Sequence, residues 1–203
     1  MSTTETAVVP STAQRVATIV SEALAPIVVI PLVTIVVSLH ASRTLVQGAG
    51  FAFVAVFFAA VLPYAFLLFG VRRGRFDDRQ IRVRAQRPFL LAFTLTSVTV
   101  GLVVLKVLGA PRDLFALVAA MVAGMAISLV VSSVWKISIH TSCVAGVVVS
   151  LALLVTPASW WLAPLVALTG CARVVLRDHT PAQVLAGTAL GAGVATMTLL
   201  SLR

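Results

Sequence analysis

The sequence predicts an all-α protein, a polytopic transmembrane helical bundle of six to seven spans. Of its 203 residues, 60% are apolar and 10% are charged, and the mean hydropathy is +1.11. An ordinary soluble domain is far less apolar. The apolar residues form runs of about twenty, the length at which a helix crosses a hydrocarbon core of roughly 30 Å. These runs do not alternate as the strands of a membrane barrel do, and a helix satisfies its own backbone hydrogen bonds in lipid.

Seven apolar segments are predicted to be helices. Pro26 and Pro31 interrupt the first segment. Small residues four apart occur in the fourth segment, at Gly124 and Ser128, and the last segment carries Gly187 and Gly191. Such spacing lets neighbouring helices approach closely. The segments run approximately over 16–39, 50–70, 89–108, 114–134, 140–155, 162–175 and 181–202.

The N-terminal residues are polar and lack the basic start of a signal peptide. We predict a disordered tail over 1–15 and a single transmembrane domain over 16–203. Glu22 lies near the start of the first segment and is interpreted as an interfacial carboxylate. Cys143 and Cys171 have apolar surroundings and no paired spacing, so both are interpreted as packing residues.

The formal net charge of +9 comes from basic residues in short loops between the apolar segments. This distribution favours lipid headgroups and phosphates as partners and argues against nucleic acid. The protein is predicted to be a multi-pass protein of the cell membrane. Eleven lysines and arginines lie on one predicted face of the membrane and four on the other. The positive-inside rule therefore favours a cytoplasmic location for the more basic face.

Three polar stretches interrupt the apolar segments, and they are 72–88 with seven arginines, 136–140 and 173–183. Two spans separate each stretch from the next, so all three are predicted to lie on the same face. Arginine suits phosphate because its planar fork gives bidentate hydrogen bonds. Imidazole can attack phosphorus or transfer a proton near neutral pH. Two histidines without a carboxylate in register do not indicate a metal site.

Arg87-Pro88, then Ser138-x-His140, then Arg173 followed after five residues by His179, resemble the motifs of the type-2 phosphatidic-acid phosphatase superfamily, which includes vanadium haloperoxidases. The resemblance implies that Arg87 and Arg173 hold the substrate phosphate, with Ser138 beside them. It also implies that His179 attacks phosphorus and that His140 protonates the leaving alkoxide. No metal or other cofactor is implied.

The sequence departs from this family pattern at two functional positions. Gln80 stands where the first motif has lysine, and Arg79 or Arg84 are candidates to replace it at the phosphate. Gln183 stands where the third motif has an aspartate that orients the nucleophilic imidazole and stabilises its positive charge. Glutamine can orient the ring but cannot neutralise it, so we expect a slower or altered enzyme.

The leading hypothesis is a membrane-embedded hydrolase that removes phosphate from a lipid phosphate, or from a (poly)prenyl phosphate or diphosphate, through a phosphohistidine. The alternative is a catalytically weak relative that binds anionic lipid or scaffolds a membrane partner. A transporter is disfavoured because the basic and histidine residues gather at one face and not at mid-membrane. The default interpretation of Arg177 and Asp178 is a solvated pair at a span end. The oligomeric state stays open.

Overall fold

The computed structural model describes residues 11–75 and 87–202, and within these residues the chain is helical and contains no strand. The predicted all-α bundle is therefore confirmed. A π-helical turn, Phe57–Val61, joins α3 to α4, and a 3-10 helix, Pro157–Leu162, precedes α8. The α-helices of the described ranges are α1 Thr12–Ala23, α2 Pro26–Ala41, α3 Leu45–Val56, α4 Leu62–Arg72, α5 Arg87–Val107, α6 Arg112–Val134, α7 Ile139–Leu154, α8 Pro164–Val175 and α9 Pro181–Leu202.

Six helical segments in the described part of the chain are long and apolar enough to cross a membrane, in keeping with a multi-pass membrane protein. The fifth predicted span, α7, is also helical but has only 16 residues. At 1.5 Å per residue it is about 24 Å long, shorter than a hydrocarbon core of roughly 30 Å. The six segments are Thr12–Ala41, Leu45–Arg72, Pro88–Val107, Arg112–Val134, Pro157–Val175 and Pro181–Leu202.

Two predicted helix starts are too late. The predicted tail, 1–15, overlaps α1, because Ser11 and Gln14 form a capping box that starts the helix at Thr12. The Gln14 N–H donates to Ser11 Oγ at 3.2 Å, and the Ser11 N–H donates to Gln14 Oε1 at 2.9 Å. The second span was predicted from residue 50, whereas α3 begins at Leu45, where Thr44 Oγ1 caps the helix.

Pro26 separates α1 from α2, as the sequence predicts. A proline disfavours helical backbone at the residue before it, and Ala25 has φ −66° and ψ 150°. Pro31 lies inside α2 and does not end it. Helix α1, on the N-terminal side of this break, packs against α8 through a face that buries Ala17 and Ser21. The first helix therefore brings a buried hydroxyl to the neighbourhood of α8.

Helices α7 and α9 cross with their backbones in close contact. A Cβ atom at Gly187 would collide with the Ser138 carbonyl oxygen, and a Cβ atom at Gly191 would collide with that of Ser142. On the facing helix, a Cβ atom at Gly146 would lie 3.5 Å from the Gly191 carbonyl oxygen. In lipid, such small-residue contacts hold helices together by van der Waals packing. The crossing fixes the N-terminal ends of both helices relative to each other.

The apolar core lies between α2, α5, α6, α7 and α9, with a contribution from α3. α1, α4 and α8 lie outside this cluster. Its most deeply buried members are Val33, Val37, Ala55, Leu105, Leu114, Ala116 and Leu199.

Candidate functional site

The segment before α7 and the loop between α8 and α9 lie in direct contact. Lys136 Nζ donates to the Asp178 carbonyl oxygen at 2.5 Å. The Ser138 N–H donates to the Gln183 carbonyl oxygen at 3.2 Å. Two of the three polar stretches, 136–140 and 173–183, thus come together at one end of the bundle, where α7 and α9 begin and α8 ends.

Arg173 is buried at this end, and only 2% of its side chain is exposed. Its Nη1 donates to Ser21 Oγ at 2.8 Å, and its Nη2 lies 3.1 Å from Asp178 Oδ2. The interpretation of Asp178 as half of a solvated pair with Arg177 is therefore wrong. Asp178 is buried and forms an ion pair with Arg173 across the end of α8. Neither Ser21 nor this ion pair was predicted from the sequence.

A tight turn after α8 places Asp178 against Arg173. The Asp178 N–H donates to the Arg173 carbonyl oxygen at 3.1 Å, and the Arg177 N–H donates to the carbonyl three residues back at 2.9 Å. This is the bond pattern of a Schellman turn. Arg177 has a φ of 57°, while the corresponding turns after α4 and α5 have Gly74 at 66° and Gly109 at 71°. A side chain in the left-handed region costs roughly 1–2 kcal/mol.

His179 is buried beside the same turn. Its backbone N–H donates to the Arg173 carbonyl oxygen at 3.2 Å, and its ring Nε2 lies 3.1 Å from the Ile137 carbonyl oxygen. Because a carbonyl oxygen only accepts, Nε2 carries a hydrogen in this contact. A neutral His179 ring in this position therefore has its lone pair on Nδ1.

Ser138 and His140 lie at the start of α7. Ser138 is completely buried and is the N-cap residue, and its Oγ accepts the Thr141 N–H at 3.4 Å. His140 is half-buried in the first turn of the helix. The Ser138 hydroxyl, predicted to lie beside the phosphate, is therefore engaged at the helix cap. His140 and His179 belong to the two segments that the loop contacts hold together.

Gln183 forms a capping box with Thr180 at the start of α9. The Thr180 N–H donates to Gln183 Oε1 at 3.1 Å, and the Gln183 N–H donates to Thr180 Oγ1 at 3.4 Å. The amide oxygen that was predicted to orient the His179 ring is thus engaged at the helix start. Gln183, which stands where the phosphatase superfamily has its aspartate, is thus a capping residue of α9 in this structure.

The arginines of the first polar stretch that were predicted to bind phosphate have no described side chains. Arg79 and Arg84 lie outside the described residues, and so does the side chain of Arg87, whose backbone begins α5. Their predicted contacts with phosphate stay predictions. In the two joined stretches, 136–140 and 173–183, the lysine and arginines are Lys136, Arg173 and Arg177.

A cleft runs between α2, α6, α7 and α9, next to the stripe of α7 that carries His140. Its cavity volume is about 100 Å³. Cys143 and Val147 line the cleft and follow His140 at spacings of three and seven residues, which is one stripe of a helix. On α7 the lining extends from Ile139 to Ser150, about 16 Å along the helix axis.

The chain matches no protein-family model, no curated protein and no solved structure. The resemblance to the phosphatase superfamily therefore rests on the motif residues themselves.

Proposed function

We propose that the protein is a membrane-embedded phosphatase that acts on a lipid phosphate or on a (poly)prenyl phosphate or diphosphate. The observation that carries the proposal is the contact of the Lys136–Ser138 segment with the loop after α8, which carries His179 and follows directly on Arg173 in the last turn of α8. This arrangement gathers cationic donors and imidazoles at one end of a bundle of apolar helices. An amphiphile with an anionic headgroup suits such a place, since its tail can stay in lipid.

The electrostatics at this end favour an anion. α7 and α9 both begin here, and the N-terminus of a helix carries a partial positive charge. Lys136 and Arg173 add two full charges, and Asp178 offsets one of them. A phosphate group would therefore meet a net positive field from the residues that hold the loop.

The proposed reaction uses His179 as the nucleophile and His140 as the general acid. In the observed contact the His179 lone pair lies on Nδ1, so that atom would form the N–P bond while the ester P–O bond breaks. His140 would give a proton to the leaving alkoxide, and water would then hydrolyse the phosphohistidine. Arg173 would stabilise charge on the phosphoryl oxygens. The hydrocarbon tail would lie in the cleft that follows the His140 stripe.

A second candidate is a protein that binds anionic lipid without hydrolysing it. Two contacts favour it, because the Gln183 amide oxygen is engaged in the α9 cap and the Arg173 guanidinium already contacts Ser21 and Asp178. In that case the same cluster would hold a headgroup and leave its ester intact.

Phosphate release from a panel of lipid phosphates by the purified protein in detergent distinguishes the two candidates. We expect His179→Ala to abolish release and His140→Ala to lower it by roughly 10²–10⁴-fold, the usual contribution of a general acid. His40→Ala is the matched control and should leave release unchanged, because His40 is exposed in the last turn of α2, outside the candidate site. Wild-type release no higher than that of His179→Ala on every lipid would refute the phosphatase. Retained binding to vesicles of the same lipids would then support the binding protein.

A further inference from the structure

Arg173 is enclosed at the loop end of the bundle, although the proposed function requires a phosphate to reach it. Only 2% of its side chain is exposed. Two parts of the described chain contact its terminal nitrogens. Asp178 of the loop after α8 lies 3.1 Å from Nη2, and Ser21 of α1 accepts from Nη1 at 2.8 Å. A ligand from outside therefore reaches the guanidinium when the loop or α1 moves.

The loop is held by hydrogen bonds on both of its sides. Towards α8, the N–H groups of Asp178 and His179 both donate to the Arg173 carbonyl oxygen. Towards α7, Lys136 Nζ donates to the Asp178 carbonyl oxygen, and the His179 ring contacts the Ile137 carbonyl oxygen. Moving the loop away from Arg173 would break these contacts together.

Helix α1 is held less firmly than the loop. It lies outside the apolar core and packs mainly against α8, through a face that buries the small side chains of Ala17 and Ser21. Ala25 has extended backbone before Pro26, so α1 and α2 are separate helices that meet at a possible hinge. Segments with few buried contacts open at the lowest cost in free energy. Between the two parts that contact Arg173, α1 is thus the one that moves more easily.

A groove between α1 and α8 opens towards the bilayer beside Arg173. Its cavity volume is about 320 Å³. Ala17 and Ala172 line the groove and are buried, and Ala172 directly precedes Arg173. Val16 and Leu168 line it from segments that are apolar enough to span a membrane, and both side chains are about half exposed. Exposed apolar side chains on such segments suit contact with lipid chains, so a hydrocarbon chain can come between the two helices from the bilayer.

We propose that the lipid enters through the groove between α1 and α8, and that α1 moves away from α8 to admit the phosphate headgroup to Arg173. This inference rests on the proposed function and adds the route by which its ligand arrives. The chain of the amphiphile passes between the two helices, and the headgroup follows at the loop end. The contact of Arg173 with Ser21 is exchanged for one with the phosphate. The loop stays in place, so His179 keeps its position.

The native Cys171 allows a reversible lock of α1 onto α8. Cys171 is exposed and lines the groove together with Val16 of α1. In the Val16→Cys variant, a short bifunctional methanethiosulfonate reagent joins the two thiols across the groove, and a reductant releases them. The association rate of dodecylphosphonate, which has no ester bond to cleave, would be measured before linking, after linking and after reduction. We expect linking to slow association about tenfold or more, because only the open fraction of the protein admits the ligand, and reduction to restore the rate.

Two controls isolate the link from modification of single thiols. The wild type treated with the same reagent reports the effect of modifying Cys171 and Cys143. Thr18→Cys places the new thiol two residues after Val16, on the opposite side of α1, and should not slow association after treatment. Mass spectrometry of the intact protein identifies the linked form, and Val20→Cys is the second position for the link, since Val20 also lines the groove.

Ser21→Ala tests the same motion in the opposite direction. Losing the hydroxyl contact with Arg173 should favour the open position of α1 and raise the association rate by roughly threefold or more. A change that only damaged the structure would lower the rate. Thermal unfolding in detergent shows that the variant is folded, and an unchanged or lower rate in the folded variant would overturn the inference even where no link can be formed.

The outcomes separate this inference from the proposed function. Equal association rates of the linked and the reduced Val16→Cys protein would overturn the route through the groove, even if the wild type releases phosphate from lipids. Association that is slowed by the link in a protein that releases no phosphate would support the route and assign it to the lipid-binding candidate. If the wild type neither binds dodecylphosphonate nor releases phosphate, the proposed function fails and the inference fails with it.

Discussion

Gly191 of α9 lies directly against the carbonyl oxygen of Ser142 in α7, with no room for a side chain between the two backbones. One turn earlier, Gly187 meets the Ser138 carbonyl oxygen in the same way. Ser138 is the N-cap residue of α7 and lies next to the contact between Lys136 and Asp178. The close contact between α7 and α9 therefore fixes the position of the candidate site, which lies at the N-terminal ends of these two helices.

Gly191→Ala is expected to destabilise the protein by about 1–3 kcal/mol or more, the usual effect of overpacking, because the added methyl group meets backbone and not a flexible side chain. Gly193→Ala is the control, since a Cβ atom there has no other atom within 4 Å. In a helix interior the change from glycine to alanine stabilises by roughly 0.5–1 kcal/mol. Thermal unfolding in detergent compares the two variants, and equal midpoints would contradict the close crossing.

Gly124→Leu should shorten the hydrocarbon chain that the protein accepts. Gly124 lines the cleft, and the nearest atom to a Cβ there is Val194 Cγ1 at 3.9 Å, so a larger side chain has room to enter the cleft. We expect lower phosphate release or binding for long-chain lipid phosphates and little change for short-chain ones. Gly193→Leu adds the same side chain on the exposed side of α9 and is the control. A loss that is equal for every chain length would show that the tail does not occupy the cleft.

Gln183→Ala should destabilise the start of α9 by about 1 kcal/mol, the usual worth of a helix cap. Gln183→Glu should retain the cap, because its carboxylate can accept the Thr180 N–H and favours the positive end of the helix. The unfolding midpoints of the two variants provide the measurement. If Gln183→Ala left the midpoint unchanged but lowered phosphate release, the residue would serve the imidazole as the family resemblance implies.

Arg177→Gly should be more stable than Arg177→Ala by about 1 kcal/mol, because only glycine adopts the left-handed conformation without a steric cost. Both variants remove the same exposed charge. Binding to vesicles with anionic lipid phosphate should therefore fall equally in both if the arginine contacts headgroups. Equal stability of the two variants would show that the turn relaxes to a different conformation when the arginine is removed.

The helices were predictable because each is a long apolar run with proline, glycine or a polar cap at its ends. Pro26 and the glycine spacing of α9 had the predicted consequences. The meeting of 136–140 with 173–183 followed from counting spans, since α7 leaves one end of the bundle and α8 returns to it. The two capping boxes were also present in the sequence, as Ser-x-x-Gln at residue 11 and Thr-x-x-Gln at residue 180.

The partners of Arg173 were not predictable for two physical reasons. Asp178 comes within reach only because Arg177 adopts a conformation that sequence rules assign to glycine. Ser21 lies 152 residues from Arg173 in sequence, and a single serine in an apolar helix has no local pattern that indicates a distant partner. Gln183 was assigned from the family pattern to the imidazole, whereas its local spacing to Thr180 indicated the cap.

The distance in sequence between Ser21 and Arg173 has a consequence for insertion into the membrane. An arginine within a membrane helix raises the free energy of insertion, although less in the last turn of the helix, where Arg173 lies, than at the helix centre. Synthesis proceeds from the N-terminus, so α1 enters the bilayer before α8. The Ser21 hydroxyl is therefore already present when Arg173 arrives, and Asp178 follows on the same segment. During translation, the hydrogen-bond acceptor Ser21 is therefore made before Arg173, and the neutralising carboxylate of Asp178 is made directly after it.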